Sequence, residues 1–226
     1  IHNIISGGII GGDKITGDSA NETQSGIKGF FGQYKGPGDK NVKSVCNEIT
    51  GGTIYAFNAG NSGHSSEPGD IYNFISGTAE QYPTFLSHFH GSTSTVTTDK
   101  VVNVIKGYPV FQNKAGEKLS IYGGCKNGTV ENVTTYLGGM PVFDAFYGGA
   151  SGAAPASDKT DADCEGVAGT IYNVIALDTT EKSISNYIWG GNGYHTIKGV
   201  NGATESDGNS ENYVSKSITM DVYGGH

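Results

Sequence analysis

The chain has 226 residues, a net charge of −8 and 37 glycines, and all 14 of its basic residues are lysine. Binding to nucleic acid needs a basic face that neutralises phosphates, so this charge balance argues against a nucleic-acid partner. No run of about 18 apolar residues is present that could insert into a membrane. The composition does not shift along the chain, which favours a single domain over residues 1–226.

The first predicted element, residues 1–7, reads apolar-x-Asn-x-Ile-x-Gly, and this motif returns along the chain. Close copies occupy 45–51, 71–77 and 101–107, and looser copies begin at 130 and 171. The starts at 1, 45, 71, 101, 130 and 171 are separated by 44, 26, 30, 29 and 41 residues. The short steps indicate stacked turns of a solenoid, and the long steps indicate turns that carry loop excursions, at 11–44 and 150–168.

Alternation within the motif predicts that its first, third and fifth residues face inward. The asparagines would then lie one above another, about 4.8 Å apart, and their amides would bond along the axis as in Asn ladders. We expect this ladder to be structural. Its predicted members are Asn3, Asn47, Asn73, Asn103, Asn132 and Asn173.

Two further strand motifs follow in each turn. The second has Pro-x-Phe, at 83–85, 109–111 and 141–143, and the third is apolar-aromatic-Gly-Gly, at 121–124, 146–149, 188–191 and 222–225. Proline belongs at a strand start or corner, and paired glycines allow a sharp turn. The sequence therefore predicts an all-β fold, a parallel β-helix with about three strands per turn and six to seven turns.

Between 71 and 100 the chain carries a His-x-His sequence, His88 and His90. On a strand both imidazoles share a face, which suits zinc or copper if His64 or Asp70 supplies a third ligand. The alternative is that both histidines occupy ordinary repeat positions, with Phe89 aligned with Tyr122, and we favour it.

The excursion at 150–168 contains half of a calcium-binding loop. Asp161, Asp163 and Glu165 match its first, third and fifth positions, but the twelfth is Tyr172, where a bidentate glutamate is required. Calcium is the one cofactor that the sequence suggests, and a solvated acidic loop is the competing interpretation.

An aromatic residue recurs in phase in the third motif, at Tyr122, Tyr147, Trp189 and Tyr223. Facing outward, this stripe would offer stacking platforms for sugar rings; facing inward, it would be core. The adjacent apolar residue leaves both directions open.

The alternating Asn-x-Ile-x-Gly and Tyr-Gly-Gly strands resemble the Gly-rich right-handed parallel β-helix repeats of large bacterial surface proteins, including adhesins and autotransporter passenger-like regions. The resemblance runs from Ile1 to Gly225. It implies an exported protein, extracellular or at the cell surface, that displays loops for attachment. Some β-helices instead cleave acidic polysaccharides.

These observations favour a non-catalytic module, adhesive or structural, that is a piece of a longer protein. Its expected partners are a glycan, a host or cell-surface protein, or further copies of itself. A polysaccharide lyase or hydrolase is one alternative, with carboxyl candidates at Asp70, Asp99, Asp144 and Asp178, although the lack of arginine weakens a lyase. A self-assembling fibre subunit is the other alternative.

Overall fold

The computed structural model describes residues 1–12, 29–33, 42–61, 69–92, 98–125, 130–149, 170–178, 188–190, 209–214 and 222–223. For residues 61, 189, 209–214 and 222–223 it describes the backbone alone. Most of the two predicted loop excursions, 11–44 and 150–168, lies outside these ranges.

The described residues form β-strands joined by turns, and none of them is helical. The strands are β1 (His2–Ile10), β2 (Phe30–Gln33), β3 (Ser44–Asn61), β4 (Asp70–Ile75), β5 (Pro83–His90), β6 (Thr98–Ile105), β7 (Val110–Phe111), β8 (Ile121–Tyr122), β9 (Val130–Gly139), β10 (Phe146–Tyr147), β11 (Thr170–Leu177), β12 (Ile188–Trp189), β13 (Asn209–Val214) and β14 (Val222–Tyr223).

All fourteen of these strands belong to one curled, half-barrel sheet, and they pair in parallel. The order is β13-β11-β9-β6-β4-β3-β5-β8-β10-β12-β14, with β1 and β2 also on β3 and β7 on β5. Strand β3 therefore joins two ladders. One ladder holds the Asn motifs and the other holds the Phe and Tyr-Gly-Gly motifs. This all-β arrangement is consistent with a parallel β-solenoid.

Strand β3 can belong to both ladders because it bends in its middle. Its first half alternates, with Val45, Asn47 and Ile49 fully buried. Gly52 then has a φ of +90°, a left-handed conformation that glycine adopts without strain. Beyond Gly52 the strand continues with Ile54 and Phe57 buried against the second ladder, so one strand lines two sides of the core.

The core is filled by inward rows of identical or similar side chains. Phe57 stacks on Phe89 with ring centroids 4.8 Å apart, and Phe85 stacks on Phe111 at the same separation. The two stacks meet edge to face, with Phe85 and Phe89 5.2 Å apart and at 84°. Such offset and edge contacts stabilise aromatic pairs beyond the area that they bury.

The ladder asparagines face this core and bond along the axis. The Nδ2 of Asn3 donates to the Oδ1 of Asn47 at 2.9 Å, Asn47 donates likewise to Asn73 at 2.9 Å, and Asn73 donates to Asn103 at 2.8 Å. Asn47, Asn73 and Asn103 are fully buried. Their second amide hydrogens are equally engaged, because burying an unpaired donor is costly.

Each second hydrogen crosses to a backbone carbonyl of the other ladder. The acceptors are the carbonyls of Gly32 for Asn3, Ala59 for Asn47, Gly91 for Asn73, Gly123 for Asn103 and Gly190 for Asn173, at 2.7–3.0 Å. The ladder therefore ties the two sides of the core together at every described rung that carries it.

One predicted ladder member is wrong. Asn132 is exposed, and Thr135 takes the ladder position, paired with Asn103 on one side and Asn173 on the other. The Oγ1 of Thr135 accepts from Asn103 at 3.2 Å. The motif begins at Val133, three residues later than the sequence predicts, because Val130-x-Asn132 has the same pattern as its start. Val133 and Leu137 are the buried apolar residues of this copy.

We expect the ladder to dominate local stability. Asn73→Ala removes both donations of Asn73 and leaves the buried amide of Asn47 without its acceptor, so the free energy of unfolding should fall by about 3 kcal/mol. Asn132→Ala is the matched control, because its amide makes only a 3.5 Å contact with the Asp99 carbonyl. It should change stability by less than about 0.5 kcal/mol. Urea denaturation measures both, and equal losses would contradict the ladder register.

Gly91 follows His90 and so stands at the register of Gly123, the first glycine of a Tyr-Gly-Gly motif, where it lies against the ladder. A Cβ on Gly91 would lie 2.7 Å from the Oδ1 of Asn103 and would also meet the Gly123 carbonyl. Gly91→Ala should therefore lower the free energy of unfolding by about 1–3 kcal/mol through overpacking. A Cβ on Gly7 meets nothing within 4 Å, so Gly7→Ala should be close to neutral in the same urea titration; a neutral Gly91→Ala would refute this close contact with the ladder.

Candidate functional site

The third-motif aromatics form an outer row of the second ladder. Ile121 and Phe146 are fully buried, and the next residues, Tyr122 and Tyr147, are half-buried on the opposite side of the strand. The register pairs Tyr122 with Tyr147, Tyr147 with Trp189, and Trp189 with Tyr223. Alternation thus puts the two described tyrosine side chains outside the core.

The outer tyrosines stack on each other. The ring centroids of Tyr122 and Tyr147 are 5.0 Å apart and the ring planes differ by 9°. The ring faces within the pair are therefore occupied by the neighbouring ring. A sugar that needs an open ring face would not find one between these two tyrosines.

His90 continues this row, which corrects the alignment expected from the sequence. Phe89 pairs with Ile121 and His90 pairs with Tyr122, with ring centroids of the latter pair 5.6 Å apart. The expected alignment of Phe89 with Tyr122 is wrong by one residue. Phe89 is fully buried, as Ile121 is, whereas Tyr122 is only half-buried.

A polar cluster surrounds the two histidines. The Nδ2 of Asn58 lies 3.2 Å from the Nε2 of His88, and the Oδ1 of Asn58 lies 3.1 Å from the Nδ1 of His90. The Nδ1 of His88 is 3.2 Å from the Oγ of Ser87. An amide nitrogen donates, so the Nε2 of His88 accepts and its Nδ1 carries the hydrogen; the Nδ1 of His90 donates to Asn58. The cluster holds both rings by hydrogen bonds.

The predicted metal ligands do not meet in the described part of the chain. There, no three His, Cys, Asp or Glu side chains are grouped as a metal site would need. His64 lies outside the described residues, and the Oδ2 of Asp70 accepts a hydrogen bond from the Tyr72 hydroxyl at 2.9 Å. Asp161, Asp163 and Glu165, the calcium candidates, also lie outside the described residues.

The four carboxyl candidates for hydrolysis occupy three places in the sheet. Asp70 and Asp99 lie in neighbouring strands, β4 and β6, at the end where the Asn strands begin. Asp178 follows the other end of β11, and Asp144 precedes β10 in the second ladder. Asp144 therefore lies in the other ladder from Asp70 and Asp99, and Asp178 lies at the opposite end of the Asn strands.

The outer face of the Asn ladder carries aromatics that the sequence reading missed. It consists of the second and fourth residues of each Asn motif, which alternate with the buried ones. One row pairs Phe74 with Val104 and Val104 with Tyr136. The side chains of Phe74 and Tyr136 are 41% and 39% exposed. We call this row the Phe74 row.

Next to the Phe74 row lies a second row, in which Tyr72 pairs with Val102, and Val102 with Thr134. The Nζ of Lys100 lies 5.6 Å from the centroid of the Tyr72 ring, in cation–π geometry. The hydrogen bond to Asp70 raises the pKa of Tyr72, because the protonated phenol is the donor. A signal was available for both rows: positions two and four of the motif contain Tyr, Phe and Val, which a purely solvated face would not need.

The chain was compared with protein-family models, with curated proteins and with solved structures, and none of the three comparisons found a match. Within the described residues no helix is long and apolar enough to cross a membrane. The candidate site therefore depends on the geometry of the two outer faces.

The Asp70–Tyr72 bond can be tested directly. Asp70→Asn removes the carboxylate that stabilises the protonated phenol, so the pKa of Tyr72 should fall toward its ordinary range. The measurement is a pH titration of the Tyr72 ¹³Cζ resonance, assigned with Tyr72→Phe. Asp99→Asn removes a carboxylate from the same end of the sheet and should leave the titration unchanged; an equal shift in both variants would indicate a general charge effect.

Proposed function

We propose that this chain is a non-catalytic module of a secreted or cell-surface protein, an adhesive scaffold that binds a neutral polysaccharide on the outer face of its Asn ladder. The scaffold in this proposal is a right-handed parallel β-helix of six to seven turns, the usual hand of parallel crossovers. The ring arrangement in the Phe74 row is the observation that carries the proposal.

Valine separates the aromatic rings of this row. Phe74 and Tyr136 lie on either side of Val104, two strand spacings or about 9.6 Å apart. Because the strand between them carries a valine, the two rings do not stack on each other as Tyr122 and Tyr147 do. Both residues are about two-fifths exposed, so an incoming ligand can contact each ring, and the sheet fixes the distance between them.

Sugar rings suit such a row. The C–H groups on one side of a pyranose carry small positive charges, and the face of an aromatic ring is negative. Rings at fixed intervals along an axis match a polymer of repeating sugars better than a single small ligand. The net charge of −8 disfavours an acidic polymer, which supports a neutral one.

The extended rows also support adhesion over catalysis. Binding energy is spread along a row of similar side chains, and the titratable groups of the described face, such as Asp70 and Lys100, are engaged with Tyr72. A module that holds a polymer needs many weak contacts in register, whereas hydrolysis needs two carboxyl groups about 5–10 Å apart across one bond.

Affinity electrophoresis through gels containing neutral or acidic polysaccharides tests the proposal. The wild-type chain should be retarded by at least one neutral polymer, and the polymer should keep its length. Phe74→Ala with Tyr136→Ala should abolish most of the retardation, because each loses a stacking face worth about 1 kcal/mol.

The control is a double variant at two aromatics that precede the Pro-x-Phe strands, Tyr82→Ala with Tyr108→Ala. These side chains are 41% and 39% exposed, which matches the exposure of Phe74 and Tyr136. Retardation should survive in the control. Equal losses in both double variants would refute the Phe74 row as the binding face, and a shortened polymer would refute the non-catalytic module.

A further inference from the structure

The first strand of the Asn ladder has an open edge. Strand β1 pairs with β3, and no described strand pairs with its other side. Its residues Ile4 and Ile9 are 66% and 75% exposed. A row of backbone N–H and C=O groups on a sheet edge is a template for another strand.

The backbone groups that face this edge can be identified. The Cys46 N–H donates to the Ile1 carbonyl at 2.8 Å. In a parallel ladder, successive residues point their backbone groups to alternate sides. Asn3 and Ile5 therefore bond to β3, while the N–H and C=O groups of His2 and Ile4 point to the open edge.

The amide chain of the ladder has a direction. From Asn3 through Asn47, Asn73 and Asn103 to Thr135, every amide donates away from β1. Asn3 uses its amide hydrogens on Gly32 and Asn47, so its Oδ1 is the acceptor at the start of the chain. A strand that completes the ladder at this edge must bring an amide donor at the same register.

The far edge of the same ladder supplies that register. Strand β13 pairs with β11 on one side, and no described strand pairs with its other side. Asn212 occupies the position opposite Asn173, so it stands at the ladder register. Strand β13 therefore has an asparagine at the register that a strand beside β1 would need in order to continue the ladder.

We propose that the β13 edge of one copy of this chain adds in parallel to the β1 edge of a second copy, with Asn212 at the register of Asn3. Residue 212 is an asparagine, the residue type that donates at each amide position of the ladder from Asn3 to Asn103. The contact is head-to-tail, so it leaves one edge open on each copy and builds filaments rather than closed dimers. It involves sheet edges, and it stands or falls independently of polysaccharide binding on the outer face.

Sedimentation velocity over serial tenfold dilutions tests the proposal. The weight-average sedimentation coefficient of the wild-type chain should rise with concentration. Ile4→Pro removes an N–H that faces this edge and bonds to none of the described residues, and its ring obstructs a new strand. It should weaken association by about tenfold or more, since a lost backbone hydrogen bond and a blocked approach act together.

Ile4→Thr is the matched control, because it removes the same exposed side chain and keeps the N–H; it should associate as the wild type does. His2→Pro against His2→Thr repeats the comparison at the neighbouring outward N–H if Ile4→Pro lowers the urea midpoint. A wild-type chain that stays monomeric at every concentration overturns the proposal, and so do proline variants that associate normally.

A mixing experiment distinguishes this contact from a symmetric one. Ile4→Pro chains keep their β13 edge, so they should add to wild-type β1 edges and end the filaments there. Adding them to wild-type chains should lower the average size in proportion to the amount added. If two β1 edges instead joined each other, Ile4→Pro chains would leave the wild-type distribution unchanged, and that result overturns the head-to-tail assignment.

Discussion

Each buried asparagine of the ladder uses its amide in two directions, along the axis to the next asparagine and across the core to a backbone carbonyl. The second bond fixes the separation of the two ladders, because it requires a carbonyl at hydrogen-bond distance on every rung. It also leaves little room at glycines of the facing strands, as at Gly91 and Gly148, where a Cβ would collide with a ladder amide. The buried asparagines of one ladder therefore require glycine at the facing positions of the other ladder.

The same alternation that buries the asparagines determines what the outside presents. In the second ladder two outward tyrosines lie on neighbouring strands, so the rings of Tyr122 and Tyr147 stack on each other. In the first ladder a valine comes between Phe74 and Tyr136, so these two rings do not stack on each other. The residue on the intervening strand therefore decides whether the aromatic side chains of a row stack or stay apart.

The direction of the amide chain gives the ladder two unlike ends. Because these hydrogen bonds all donate away from β1, the Oδ1 of Asn3 is left as an acceptor at the first end. A strand added beside β1 would have to supply the donor. The hydroxyl of Thr135 accepts from Asn103, so the same donor direction holds as far as Thr135. Unlike ends favour addition in one orientation, which is the condition for ordered growth along the axis.

The sequence by itself determined the repeated parallel strands and the inward asparagines of the close motif copies, because alternation and spacing are local properties that recur in each copy of the motif. It did not determine the strand register at Val130 or at Phe89. Asn132 resembles the motif asparagine and Phe89 resembles the motif aromatic, and only their burial against the neighbouring strands shows which alignment is right. It also did not determine which outer aromatics stack on each other. That depends on the residue on the adjacent strand, tens of positions away in the chain, and only the tertiary structure brings the two together.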